Sequence, residues 1–215
     1  MTPDPRDPLF WDEELAKMFN LFAPRVIGLL LSGGQQGVGE LPDAAAVLMN
    51  WDVFNQKAID WLHNYGVGWL RDINETSRNQ VVNAIDDFIR QGKSMQALKK
   101  NITEILAPTY SKARAEMLAV TEVTRIYAEG NLMAWKSTGV VTKKRWMTAR
   151  DERVCPICAP LDGMIVDVDS NGFTTEVGGL GLSSPPAHPR CRCWLTPVVD
   201  VAAAERKVRE AIENA

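Results

Sequence analysis

Apolar positions recur at three- and four-residue steps through most of the first two-thirds of the chain, and that spacing predicts helices. A first helix is expected from Phe10 to about Leu31, ended by Gly33 and Gly34, with Ser32–Pro42 (SGGQQGVGELP) as a flexible connector. From Asp43 to Gln91, Val47, Phe54, Ala58 and Leu62 keep the helical step. Ser77 with Gln80 three residues later reads as a capping box ahead of the stripe Val81, Ile85 and Phe88, which Gly92 stops. Ser94 reads as the N-cap of a short helix running to Leu106 and closed by Pro108. A long helix is expected from Thr109 to about Ser137, with Tyr110, Ala113, Met117, Val120 and Tyr127 along one face and Gly139 at its end.

After Gly139 the period shortens to two. Lys143–Ala149 alternates as a strand, Met164–Val168 and Cys193–Val198 are further strands, and Gly- and Ser-rich Ser170–Pro186 is an extended surface loop. An amphipathic helix is expected from Val199 to Ala215. The fold class is therefore α+β, a predominantly helical N-terminal body with a small C-terminal β-containing module, which Cys155, Cys158, His188, Cys191 and Cys193 within it are expected to make zinc-stabilised. The expected partition is an arm, helix and connector over 1–42, a helical body over 43–138, a β/zinc module over 139–198 and a C-terminal helix over 199–215.

Composition narrows the function classes. A chain of 215 residues, 46% hydrophobic, can bury one substantial core or a helical body with a small appended unit. The net charge of −3 argues against a surface given over to nucleic acid or membrane. Basic charge is local: 109–153 carries 9 Lys/Arg against 5 Asp/Glu, and Lys143, Lys144 and Arg145, extended by Arg190 and Arg192, form a candidate nucleic-acid contact interrupted by Asp151 and Glu152. Phe19–Leu31, the longest apolar stretch, is broken by Pro24 and Arg25 and falls far short of the roughly 20 residues a bilayer requires, so no membrane association is expected. Met1–Pro8 lacks the basic-then-apolar character of a secretory signal, and an intracellular setting follows.

In that setting four cysteines crowded between 155 and 193 point to metal rather than to disulfides. Cys155-Pro-Ile-Cys158 lets two thiolates of one tight turn reach one ion, while nearby backbone amides offset the sulfur charge. His188-Pro-Arg-Cys191-Arg-Cys193 supplies the second cluster, and five soft or borderline donors suit tetrahedral zinc. Cys155, Cys158, His188 and Cys191 are the favoured ligands, with Cys193 the rival for the fourth place. Four protein ligands leave no open position for water, so such zinc is structural rather than catalytic. Free structural thiols, a redox pair and a capping role for His188 are the competing readings. Trp146 and Trp194 are expected to cover the site, and Glu122, Arg125 and Glu129 to form a solvated ion-pair row.

The run from Arg114 to Cys193 resembles the phage Mu F-like minor head proteins, the head morphogenesis domain. The matching residues are Arg114-Ala-x-x-x-Ala-x-Thr-Glu122-x-x-Arg125, Gly130, Gly139-Val140, Trp146, Asp151-x-x-Val154-Cys155-x-x-Cys158, Leu161-Asp162-Gly163 and Pro185-Pro186-x-His188-Pro189-x-Cys191-Arg192-Cys193. The stretch from roughly Trp69 to Leu106 looks like the helices that usually precede them. The resemblance implies a minor capsid component of a tailed phage or prophage, present in few copies. It would act with the portal protein, and with the major capsid or scaffold protein, in head assembly or DNA packaging, first in host cytoplasm and then in the virion head. An enzyme is not expected. The rival classes are an HNH-style zinc nuclease, which needs a general-base histidine beyond the structural zinc while His63 lies about 90 residues from the cluster, and a DNA-binding structural protein of the head.

Overall fold

The computed structural model describes residues 8–65, 75–91, 94–108, 110–174 and 181–214. Along the chain run α1 (Pro8–Gly39), α2 (Asp43–Ala46), α3 (Trp51–Tyr65), α4 (Glu75–Gln91), α5 (Met95–Leu106), α6 (Lys112–Thr138), β1 (Val141–Met147), a 3-10 turn (Ala159–Leu161), β2 (Ile165–Asp167), β3 (Trp194–Val199) and α7 (Val201–Glu213). The α+β expectation holds in its coarse form, mostly helix with one small antiparallel sheet.

Two apolar cores divide the molecule. In the first, Phe22, Val26, Leu29 and Leu30 of α1 meet Val81, Ile85 and Phe88 of α4, Leu98, Ile102 and Leu106 of α5, and Ala115, Ala119, Val123 and Ile126 of α6. These are the helical i, i+3, i+4 sets, so each helix turns one stripe inward. Ser94 caps α5 as expected, its Oγ accepting from the Ala97 amide at 3.2 Å. Ser111 does the same for α6 through Arg114 N–H at 3.3 Å, and Gly139, at φ +65°, closes that helix in the left-handed conformation.

The first helix departs from expectation. It runs through Gly33 and Gly34 to Gly39, so Ser32–Pro42 is mainly helix rather than a flexible connector. Here the glycines remove side chains from a crossing instead of ending a helix. A Cβ on Gly33 would stand 2.5 Å from the Tyr127 carbonyl oxygen, and one on Gly130 would collide with the Leu30 carbonyl oxygen. The backbones of α1 and α6 therefore touch, which no larger residue permits. Trp135 of α6 seals the crossing by donating its indole N–H to Gly37 O at 2.9 Å. Ser77 is also not a cap: α4 is already under way at Glu75, and Ser77 lies buried within it. Gly92, and the stretch around Trp69 that the resemblance places upstream, lie outside the described residues.

The second core joins Leu41, Ala45, Leu132 and Trp135 to the sheet, ordered β2-β1-β3, and to Ala204 of α7. Both pairings are antiparallel, with Lys144 opposite Val166 on one side and Trp146 opposite Leu195 on the other. The β1–β3 register shifts between Val141 and Lys143. This bulge reverses the phase of β1, so that after Val141 the inward positions are Lys144, Trp146 and Thr148. The loop after β2 does not simply cover the surface: Phe173 is fully buried, bridges Leu182 and meets Trp146 edge-to-face at 5.1 Å. Lys207 of α7 donates to Gly139 O at 2.9 Å, tying the last helix to the end of α6.

Candidate metal centre

Both cysteine clusters sit on turns held by their own backbone hydrogen bonds. In the first, Cys158 N–H donates to Cys155 O at 3.1 Å and approaches Cys155 Sγ at 3.4 Å, and Ala159 N–H donates to Cys155 O at 2.9 Å. An amide thus faces sulfur charge as the two-residue spacing requires. In the second, Cys191 N–H donates to His188 O at 3.2 Å.

The fold brings all five predicted donors together as two overlapping triads: Cys155, Cys158 and His188, and Cys158, Cys191 and Cys193, each with its ligand atoms within 4.8 Å of one another. Cys158 belongs to both. His188 Nε2 stands 3.0 Å from Cys155 Sγ and 3.2 Å from Cys158 Sγ, and Cys158 and Cys191 are 3.8 Å apart. That sulfur separation is the edge, about 3.8 Å, of a tetrahedron with 2.3 Å zinc–sulfur bonds. His188 Nδ1 lies 2.7 Å from Pro189 O, an arrangement that favours a proton on Nδ1 and leaves the Nε2 lone pair facing the thiols.

The thiols also compete for one charge. Hydrogen bonds from Cys158 and Cys193 pull the Cys191 thiol down to about 2. The same contacts to Cys191 and Cys193, with burial, push Cys158 far up. Cys158 draws Cys193 down, but Cys191 and burial outweigh it and push Cys193 up to about 12. A cation among these sulfurs would let more than one of them ionise at the same time. The donor chemistry and the spacing both fit a soft divalent ion.

Residues expected to touch nucleic acid are mostly committed elsewhere. Arg192 forms a two-pronged ion pair with Asp151, at 2.6 and 2.7 Å, which ties the second cluster to the approach of the first. Arg190, held at φ +61°, donates its amide to Thr121 Oγ1 at 3.0 Å and its guanidinium to Ala113 O at 2.5 Å, with Glu116 3.8 Å away, so the loop is anchored on α6. Lys143 pairs with Asp167 at 3.0 Å. Lys144 is fully buried and has no hydrogen-bond partner among the described residues, so it forms no part of a surface patch. Arg145 remains exposed.

Of the two covering tryptophans, only Trp146 is in the core with the cysteines; Trp194 begins β3 on its outward face and is 44% exposed. The ion-pair row on α6 is also incomplete. Glu122 and Arg125 pair at 3.6 Å, but Glu129 accepts from Ser184 at 2.8 Å and holds the loop instead. His63 falls on α3, away in sequence, and its side chain lies outside the described residues.

Asp162 plays a part that periodicity and cysteine spacing do not show. It accepts from the Thr148 amide at 2.9 Å, the Thr148 hydroxyl at 3.0 Å and Arg150 Nε at 3.0 Å. These donors, the Thr148 amide first, hold its carboxyl below the ordinary range and pin the Asp162-Gly163 turn to the end of β1. The Asp-Gly pair, with Gly163 at φ +79°, is the sequence signal of that turn.

Most of α4, all of α5 and α6, both cysteine clusters and the sheet as far as the start of β3 fall within the match of one family model. That model, "Phage Mu protein F like protein", matches residues 79–196, from within α4 into β3, and the chain belongs to this family. Among curated proteins the chain is similar to "Minor head protein GP7" of Bacillus phage SPP1, 27% identical over 129 residues. The match covers 57% of this chain and 41% of that relative, so the chain spans less than half of the curated protein's length. No solved structure matches the chain.

Proposed function

We propose that this protein is a minor component of a tailed-phage or prophage head that works by assembly rather than by catalysis. The observation that carries this reading is the extent of the family match, which takes in α4, α5, α6, both cysteine clusters and two strands as one unit. The name of the SPP1 relative supports the same compartment. The helical body then docks on a head partner, with the portal protein first and the major capsid or scaffold protein next, in head assembly or DNA packaging. The protein would assemble in host cytoplasm and end in the virion head. Among the described residues no helix is long and apolar enough to cross a membrane.

Within that reading the cysteine cluster binds one structural zinc through four of Cys155, Cys158, His188, Cys191 and Cys193. Cys155 and Cys158 belong to every ligand set in this reading, the surplus donor being one of His188, Cys191 and Cys193, and Cys158 is shared by both triads. Zinc there would stabilise thiolates that otherwise compete for a single charge, and would close the loop between the two turns.

A nuclease of HNH style needs a histidine free to take a proton from water. Both ring nitrogens of His188 are engaged, by Pro189 O and by the thiols, which supports a non-enzymatic role. DNA binding through Lys143, Lys144, Arg145, Arg190 and Arg192 is weakened by the pairings and burial described above.

The test is to purify heads assembled with and without the gene and to assay them for the protein and for packaged DNA. The protein is expected in heads, at few copies, with assembly or packaging impaired in its absence. Normal, filled heads lacking the protein would overturn the reading. Incubation with DNA and Mg²⁺ or Mn²⁺ tests the rival: cleavage abolished by His188→Ala would establish an enzyme instead.

A further inference from the structure

A groove of about 690 Å³ lies between α5, α6 and the loop bearing Arg192, which flanks the cysteine cluster. Its walls carry Lys99, Lys100 and Glu104 from α5, and Lys112, Glu116 and Val120 from α6. Not all of this charge is free. Arg192 is bound to Asp151, Glu116 faces Arg190, and Lys100 reaches Glu104 at 3.9 Å. Two ammonium groups have no carboxylate partner among the described residues: Lys112 is exposed, and Lys99, close enough to Cys191 to feel its charge, donates to the Thr124 hydroxyl at 2.8 Å.

A second, smaller chamber of about 180 Å³ adjoins the groove, with Lys99 and Arg192 lining both. Tyr127, Ala128, Leu195 and Trp194 line it, and Trp194 is the large aromatic that the sheet leaves 44% exposed. A partly exposed tryptophan in a chamber beside a lysine-lined groove offers a rigid aromatic surface on which one apolar side chain of a protein partner can anchor.

We propose that this groove binds an acidic peptide segment of a protein partner, with one apolar side chain seated in the chamber beside Trp194 and flanking carboxylates on Lys99 and Lys112. Charge complementarity selects the occupant. A nucleic-acid backbone places a charge on every nucleotide and would press phosphates against Glu104, Glu116 and Asp151 as well as against the lysines. A peptide can place one or two carboxylates at the free lysines and leave the rest of the groove to neutral backbone. The inference rests on the head-assembly reading, because it locates the surface through which such a protein would dock.

The test uses the full chain with zinc supplied and a short fluorescein-labelled peptide in which acidic residues flank a single leucine, followed by fluorescence anisotropy. Saturable binding is expected, weakened at least about tenfold, or about 1.4 kcal/mol, by Lys112→Glu and by Trp194→Ala, and unaffected by Arg209→Glu on α7. Lys112 is exposed, so its reversal leaves the fold intact. Three results would overturn the proposal: no saturable binding, equal binding by the Lys112 and Trp194 variants, or equal binding of the peptide with leucine replaced by serine. Labelled duplex DNA is the competing probe, and tighter DNA binding lost on Lys112→Glu would assign the groove to nucleic acid. The head-composition experiment uses wild-type protein. A head component that ignores the peptide therefore refutes the groove and leaves the assembly reading standing.

Discussion

The helical body and the sheet module solve the problem of a small fold in opposite ways. In the body, five helices bury apolar stripes, and the central pair, α1 and α6, meets backbone to backbone. Each fully buried Leu, Ile or Phe there contributes roughly 1.5–3 kcal/mol, so stability is spread over many side chains. The module has a seven-residue strand, two shorter ones and a core that includes Cys158, Cys191, Cys193 and a lysine. Three short strands on one core are marginal alone. Its smaller apolar core, with Trp146, Phe173 and Leu195, is supplemented by a few polar devices: the cysteine cluster, the Asp151–Arg192 pair and the Asp162 clamp. A distributed core degrades gradually under substitution, whereas one that leans on a few such devices fails at single points.

The largest predicted effect tests that contrast. Chelation of metal, or Cys158→Ser, is expected to unfold 141–199 while 94–138 keeps its protection, as read by hydrogen exchange with mass spectrometry. Structural zinc is worth on the order of 10 kcal/mol in small domains. Equal loss of protection in both regions would show that they form one cooperative unit. Next comes the crossing in the body. Gly130→Val forces a side chain onto the Leu30 carbonyl and should cost about 3 kcal/mol or more, seen as a fall in urea midpoint, with zinc content unchanged.

Lys144→Met sharpens the comparison from the opposite direction, because it should stabilise the module by roughly 1–3 kcal/mol at neutral pH. Burial first, and Lys136 second, lower Lys144 from 10.5 to about 8. A lysine with a lowered folded value costs stability below that value, and the cost fades as pH rises toward the unfolded value. The wild-type protein should therefore gain stability between about pH 8 and 10.5, and the variant should lack that slope. Chemical denaturation across this range measures it, and parallel curves would show that the ammonium is satisfied. The smallest effect is local: Ser94→Ala removes the cap of α5 and should cost about 1 kcal/mol by thermal melting, without disturbing the sheet.

Features governed by near neighbours in sequence were the ones that could be read from it. Ser94, Gly139, the three strand positions and the convergence of Cys155, Cys158, His188, Cys191 and Cys193 all depend on local spacing or on ligand chemistry. Gly33 and Gly34 misled because a glycine pair in a helical pattern signals a stop unless the opposing backbone, here that of α6, is known. Ser77 misled because its capping pattern recurs inside a helix. Lys144 could not be placed, since the bulge ahead of Lys143 decides which face of β1 turns inward, and that bulge exists only in the pairing with β3. Arg190 and Arg192 looked like a charged surface because their partners, Thr121 and Asp151, lie 69 and 41 residues away.

The crossing of α1 and α6 also limits how this protein can change. Where two backbones touch at Gly33 and Gly130, no smaller residue exists, so a bulkier side chain on one helix cannot be offset by shrinking the other. Diversification is therefore expected to leave these two helices locked at one separation and to fall on the outer helices and loops, where variants can be tried one at a time. Labels and specificity changes are best introduced at exposed positions of α7, such as Arg209, since that helix contributes no backbone to that fixed joint.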